Sequence, residues 1–314
     1  MRGLLVVNPR ATTTSPRVID VIVHALSDEI DLDVTVTTHR GHGVLLGELA
    51  LEEHLDIVIT LGGDGIVNEV VNGMLSEGIG PHVPLLATVP GGSGNVFART
   101  LGLPTDPVEA TGLLLDRLRD GTRRMIGLGR AGDRWFVANA GLGIDAEIIA
   151  AMEEHRRAGK VATPARYLRT TLSEFFRHTN RKEPALTLSI PATPEHPEGV
   201  RIEGVFVAIV QNSSPWTYFG TWPISPCPEA SFDAALDVFV VRRMRVPTAL
   251  VAARRMLARS AGGTARGGLG LWHDLPAFTL RASRPIELQI DGEGLGPTTE
   301  VVFSHHPGAL PVVA

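Results

Sequence analysis

Residues 62–69 read Gly-Gly-Asp-Gly-Ile-Val-Asn-Glu, a run that sets one carboxylate, Asp64, among Gly62, Gly63 and Gly65, with Asn68 and Glu69 close behind. Glycine admits positive φ and has no Cβ to hold a ligand away from the backbone. Free N–H groups at a helix start favour an anion. The turn therefore suits a phosphate, and Asp64 suits a metal ion or a proton rather than the phosphate itself. A second turn, Pro90-Gly91-Gly92-Ser93-Gly94-Asn95, repeats the pattern. One glycine turn discriminates poorly. Two at successive strand ends, with Asn8-Pro9 ending the first strand, converge on one crevice. Asp291-Gly292-Glu293 supplies two more acids near the C-terminus, although Asp-Gly is also an ordinary hairpin tip.

The elements that must position these turns follow from periodicity. Residues 4–7, 33–37, 56–61 and 84–89 read as strands, and residues 16–30, 44–54 and 66–75 carry helical spacing. Residues 100–119 read as two helices split near Pro104. Alternating strands and helices predict a mostly parallel sheet, with ligands beyond the carboxyl ends of its strands. After residue 120 the pattern changes. A hairpin is expected at 123–129 and 135–140, then strands at 185–190, 201–211, 236–241, 277–282 and 285–290, with one clear helix at 247–260. Residues 191–199 and 262–270 read as surface loops. The expectation is an α/β domain over 1–120 and a β-sandwich domain over 121–314, whose last segment returns to the first.

Bulk properties exclude several classes. The 314 residues suffice for two domains, and 44% hydrophobic against 20% charged content gives a substantial core. A net charge of −5 argues against broad nucleic-acid binding. The single cysteine, Cys227, permits no intrachain disulfide and no cysteine zinc site, so a reducing cytoplasm is expected. No stretch matches a signal peptide or a membrane span, which leaves peripheral association with a membrane surface.

Taken together, Asn8-Pro9, the Gly62-to-Val70 block, the Pro90-to-Asn95 block and Leu288-Gln289-Ile290-Asp291-Gly292-Glu293 resemble the diacylglycerol kinase catalytic-domain family, which includes bacterial lipid kinases and the sphingosine and ceramide kinases. The likeness runs over nearly the whole chain. It implies a fold like NAD kinase and phosphofructokinase, and ATP and Mg²⁺ as cofactors. Phosphate would pass to the hydroxyl of diacylglycerol or a sphingoid-like lipid. Asn8, Pro9, Thr37, residues 62–68, Gly92, Ser93 and Asn95 would hold ATP, and Glu69 would brace the loop or touch the nucleotide. Arg156, Arg157 and Lys160 would approach the phosphates, unless they form a solvated helix face. Asp145 would contact the lipid headgroup, unless it is a helix N-cap. Phosphoryl transfer rests on positioning and charge neutralisation, with an acid to take the hydroxyl proton. The Asp291/Glu293 turn is expected to take the proton, with Asp64 on the metal or the hydroxyl.

The chain also departs from that family. Ile66 stands where many bacterial members have threonine, and it cannot donate a hydrogen bond. Val96 follows Asn95 where many have aspartate, and Ala234 interrupts the acidic stretch 231–237, which puts a structural metal ion there in doubt. Two alternatives stay open: an NAD kinase-like enzyme, and a non-catalytic nucleotide- or lipid-binding regulator. The oligomeric state is open too. The aromatic-rich residues 213–222 either cap the core or meet lipid. His305-His306 reads as a turn, and Cys227 as a passive loop residue.

Overall fold

Strands that are apolar at every position need cover on both faces. β1 (Arg2–Val7), β3 (Ile57–Gly62) and β4 (Leu85–Pro90) come close to this, interrupted by Arg2, Thr60 and Thr88, and all are buried along most of their length. β2 (Asp31–Val36) alternates instead, with Asp31, Asp33, Val34 and Val36 exposed, and it forms the edge. The computed structural model describes residues 1–11, 15–143, 183–192, 197–243, 246–257 and 268–314. The chain divides into two compact units, Met1–Leu128 with Pro307–Ala314, and Gly129–His306.

In the first unit the strands run parallel in the order β4, β3, β1, β2, with Leu5 beside both Val34 and Ile59, and Ile59 beside Ala87. The C-terminal end of the chain adds a further parallel strand, Val312 beside Leu86. Helices α1 (Pro16–Ser27) and α5 (Pro107–Arg119) cover one face, packing Ile22, Leu26, Leu114 and Leu115 on Leu5, Ile57 and Ile59. Both begin at a capping side chain followed by proline: Ser15 accepts from Val18 N–H, and Asp106 from Val108 and Glu109 N–H. α2 (His42–Glu52) and α3 (Asp64–Met74) pack on each other through glycines. A Cβ on Gly73 would lie 2.9 Å from the Gly47 Cα and would collide with the Val44 carbonyl oxygen. α4 (Val96–Thr100) is a single turn after β4.

The second unit is sheet-rich. β5 (Arg124–Ala131) enters it and turns back as β6 (Arg134–Phe136), so the expected second hairpin strand ends early, and β7 (Asn139–Gly143) is a separate strand. The single strand expected at 201–211 is two. β9 (Val200–Val205) pairs with β8 (Leu186–Ile190), whereas β10 (Val207–Gln211) lies between β7 and β13 (Leu236–Val241). The two strands expected at 277–290 are one, β15 (Ala277–Ile290), with a register shift between Arg281 and Ile286. Its first half pairs with β8 and its second with β7, so one bent strand serves two sheet segments. Leu188, Phe278, Leu280 and Phe303 meet Leu142, Val210, Val238 and Ile290 in one core. β14 (Leu269–Leu275) and the long β16 (Glu293–Val312) complete the sheet, and β14 claims the end of the expected loop at 262–270. A short hairpin, β11 (Thr217–Phe219) and β12 (Trp222–Ile224), stands apart as its own sheet. α6 (Val246–Leu257) is the expected helix, seen to residue 257.

A polar contact is buried at the β13–β14 edge. Asp237, 1% exposed, accepts from His273 Nδ1 at 2.7 Å and from Asp274 N–H at 3.1 Å, and Asp274 accepts from Ala235 N–H. Burial pushes the Asp237 carboxyl up to about 6; the Asp274 N–H and His273 pull it down, and Glu229 adds to the rise. A carboxyl raised in the folded state stabilises most at low pH, and that contribution is lost as pH climbs through about 6.

Two predictions follow from packing and burial. Gly73→Ala should cost about 3 kcal/mol in urea unfolding, whereas Gly112→Ala, with nothing within 4 Å of the new Cβ, should gain about 0.5–1 kcal/mol; similar effects at both sites would contradict the glycine contact. Asp237→Asn should gain stability relative to the parent, by roughly 2–3 kcal/mol, as pH rises from 4 to 7. Parallel stability curves for the two proteins would show that Asp237 does not titrate abnormally.

Candidate functional site

In a parallel sheet of order β4, β3, β1, β2 the connections leave β1 in opposite directions, and the crevice opens at the carboxyl ends of β1 and β3. Asn8 follows β1, Gly63 to Gly65 follow β3, and Gly91 to Asn95 follow β4. Thr37 follows β2. Topology thus sets Asn8, Thr37 and the two glycine turns at the carboxyl ends of their strands, with Asn68 and Glu69 further along α3.

The two glycine turns pack backbone on backbone. Gly91 N–H donates to the Gly62 carbonyl at 2.8 Å. A Cβ on Gly92 would lie 2.6 Å from the Gly63 Cα, and one on Gly91 would lie 3.0 Å from the Gly62 Cα. Asn8 N–H donates to the Leu61 carbonyl at 2.9 Å, and the Asn8 side chain turns back on Arg10 N–H at 3.0 Å. Asn95, at φ +49°, clamps the second turn by accepting from Gly92 N–H and donating to the Gly92 carbonyl, both at 2.8 Å. This leaves Ser93 exposed at the crest of the turn, with Pro9 exposed after β1.

Asp64 joins the turns from within. Its Oδ2 accepts from Val96 N–H at 3.0 Å and its Oδ1 from Phe97 N–H at 2.9 Å, so it caps α4 across 32 and 33 residues of chain. Burial raises its carboxyl above the usual range, against the pull of those two N–H groups, its own N–H and Arg99. Val96, whose side chain carries no polar group, is buried; its N–H is what matters here. Glu69 is also buried, and its two oxygens accept from Gly41 N–H and Gly43 N–H, both at 2.9 Å. Glu69 thereby holds the start of α2 and the loop after Thr37, rather than the 62–68 loop it was expected to brace. Thr37 is tied to the Val7 carbonyl through N–H at 2.8 Å and Oγ1 at 3.3 Å. Asn68 is 1% exposed and accepts from Asn72 Nδ2 at both its carbonyl and its side-chain oxygen. Ile66 is buried, its methyl groups lying where a Cβ on Gly43 or Gly62 would fall.

In the second unit Asp291 and Gly292 form the two-residue tip between β15 and β16, at φ +46° and +81°. Asp291 is buried, and it accepts from three successive backbone N–H groups: Val137 at 2.8 Å, Ala138 at 2.9 Å and Asn139 at 3.0 Å. Gln289 donates to Asn139 Oδ1 and accepts from Gly292 N–H, which locks the tip to β7. Glu293, beside it, is half-buried. Asp145, Arg156, Arg157 and Lys160 lie outside the described residues.

Sequence reasoning missed the targets of the three acids. The signal for Glu69 was present, since Gly41-x-Gly43 offers two N–H groups that no side chain shields. Nothing in the sequence pairs Asp64 with Val96 or Asp291 with Val137. Among the described residues no group of three or more His, Cys, Asp or Glu side chains is set to hold a metal ion. In the stretch 231–237, Asp237 is engaged by His273, and Ala234 brings no donor, so the donor set does not fit a structural ion. No described helix is long and apolar enough to cross a membrane.

Comparison with known proteins agrees with these elements. The family model for the diacylglycerol kinase catalytic domain matches residues 2–131. A Pseudomonas putida protein named "Probable lipid kinase YegS-like" is 30% identical over 280 residues, 89% of this chain and 84% of that protein. A "Diacylglycerol kinase" of Staphylococcus haemolyticus is 34% identical over 118 residues, 38% of this chain and only 34% of that one, so this chain spans about a third of that relative. The crystal structure of a diacylglycerol kinase from Bacillus anthracis superposes with a TM-score of 0.72 at 20% identity, over 99% of this chain and 96% of that one. That last likeness speaks to the fold, an α/β unit followed by a sheet-rich one. Because the Pseudomonas relative matches along most of both chains, this chain belongs to the diacylglycerol kinase catalytic-domain family.

Proposed function

We infer that the chain is a lipid kinase that transfers the γ-phosphate of ATP to a lipid hydroxyl, of diacylglycerol or a sphingoid-like lipid, at a membrane surface. The observation that carries this reading is the pair of glycine turns held edge to edge at the carboxyl ends of β3 and β4. Such turns expose backbone N–H groups without side chains in the way, and the positive end of α3 lies within the first of them. Asn8, Pro9, Thr37, residues 62–68, Gly92, Ser93 and Asn95 are the nucleotide side of the proposal. Many are held by hydrogen bonds within the protein, as preorganisation of a phosphate site requires.

Mg²⁺ commonly binds through one or two carboxylates plus substrate phosphates. The residues fit that mode, because Asp64 is the carboxylate of the first turn, half-buried, with Val96 N–H on one oxygen and Phe97 N–H on the other. Asp64 would hold the ion, which supplies neutralisation of phosphate charge. The Asp291/Glu293 turn remains the proposed proton acceptor. Asp291 is held by three N–H groups, which suits it to fix the turn, and Glu293 is the acid beside it. Asp145 stays the proposed contact to the lipid headgroup, and Arg156 and Arg157 to the phosphates.

One observation favours a second reading. Asp64 and Asp291 both bind backbone N–H groups, a structural duty that a non-catalytic nucleotide- or lipid-binding protein would also need. Incubation with labelled ATP and Mg²⁺ against diacylglycerol, sphingosine, ceramide and NAD separates the readings. Label on a lipid is expected. ATP binding with no transfer would favour the binding protein, and label on NAD alone an NAD kinase. Asp64→Asn should lower turnover by roughly a hundredfold or more, with a stability loss of only about 1 kcal/mol from the weakened cap. Turnover at the parent level would remove Asp64 from the reaction. Glu69→Gln places an amide NH₂ against Gly41 or Gly43 N–H and should raise the KM for ATP by about tenfold, with kcat little changed. An unchanged KM would mean that the braced loop does not serve the nucleotide.

A further inference from the structure

Trp222 is 62% exposed, more than any other large apolar side chain among the described residues. It sits on the β11–β12 hairpin, where register sets Phe219 opposite Trp222 across the tip Gly220-Thr221, with Gly220 at φ +61°. The sequence left two roles open for this aromatic stretch, and the structure divides them. Trp216 packs against the core formed by Phe239, Ala252 and Leu269. Trp222 does not belong to that core and stands in solvent. A two-stranded hairpin is marginal by itself, and this one is fastened at its base. Trp216 N–H donates to the Ile224 carbonyl at 3.0 Å, Ser214 Oγ meets Ser225 Oγ at 3.0 Å, and Ser225 N–H donates to the Met256 carbonyl of α6 at 2.9 Å.

The neighbouring helix continues the surface. On α6, which packs beside β12, Val251 is 53% exposed and Arg254, three residues on and on the same face, is exposed too. Arg242 and Arg243, ahead of the helix, are exposed as well. Between Asp237 and Asp274 the sequence has seven arginines and no acidic residue, within a chain whose net charge is −5. An indole at a hairpin tip beside a basic and apolar helix face fits the boundary of an anionic membrane, where Trp takes up the headgroup level and arginine meets lipid phosphate.

We propose that the β11–β12 tip and the Val251/Arg254 face of α6 dock this protein on anionic phospholipid bilayers. The surface rests on the lipid-kinase reading for its purpose, and its test does not depend on turnover. The full chain is sedimented with phosphatidylcholine vesicles, with and without phosphatidylglycerol, in low and high salt and without ATP. Binding should require phosphatidylglycerol and weaken with salt. Trp222→Ala should lower vesicle affinity on the order of tenfold while its melting curve matches the parent. Arg254→Gln should remove part of the salt-sensitive binding. Parent-like vesicle affinity in both variants overturns the proposal, as does a parent that ignores vesicles, or one whose basic stretch binds duplex DNA in preference to them. Transfer to a water-dispersed short-chain diacylglycerol is measured in parallel. If transfer is absent but vesicle binding depends on Trp222, the kinase reading fails and the docking surface stands; normal transfer with Trp222-independent binding gives the converse.

Discussion

Two polypeptide turns can touch through their backbones only if neither carries a Cβ at the contact. Here a Cβ on Gly92 would collide with the Gly63 Cα, and one on Gly91 or Gly63 would crowd the facing turn, and the rest of the first unit is arranged around that contact. It brings the carboxyl ends of β3 and β4 level, and it sets the start of α4 close enough for Asp64 to cap it. The same principle recurs below, where Gly47 and Gly73 let α2 and α3 approach. That approach in turn places Glu69 under Gly41 and Gly43. The glycines are therefore structural first. Their lack of side chains lets the loops fit together, and the Gly91 and Gly92 amides are themselves taken by the Gly62 carbonyl and the Asn95 side chain.

Three carboxylates do one kind of work. Asp64, Glu69 and Asp291 each bridge a turn to a backbone segment far away in sequence, by accepting two or three main-chain N–H groups. Buried amides outside regular ladders need acceptors, and an acidic side chain satisfies several at once. A carboxylate so held is rigid, which suits a loop that must not move when a charged ligand arrives. It also explains why removing such a residue would change more than chemistry, and why the two effects must be measured separately.

The sequence carried the first unit well because its signals are local. Apolar runs, prolines after capping residues and glycines at strand ends each speak within a few positions, and β1 to β4, α1 to α3 and α5 fall close to where periodicity puts them, whereas the short α4 lies at 96–100, ahead of the stretch expected to be helical. The second unit was read less well. Its strands bend and change partners: the run 201–211 splits because β9 and β10 pair with different neighbours, while 277–290 joins across a register shift that looked like a break. β16 was not expected, because the glycines and prolines at 294–308 interrupt the strand pattern, and the expected turn at His305-His306 lies within it. In the site, the identity of the turns was legible, but the long-range partners of Asp64 and Asp291 were not. Hydrogen bonds across 32 and about 150 residues leave no mark on spacing.

Ile66 shows why a departure from a family pattern has to be judged by packing. A threonine there would offer a hydroxyl, and isoleucine offers none. Yet the side chain at 66 fills the hollow left by Gly43 and Gly62 and is almost wholly buried. A β-branched hydrocarbon in that hollow packs the loop after Thr37 against the first glycine turn. In the proposed phosphate site, anion recognition would then fall to main-chain N–H groups and not to a side-chain hydroxyl. Ile66 is therefore explained by packing, and its presence is compatible with a phosphate site built on main-chain N–H groups.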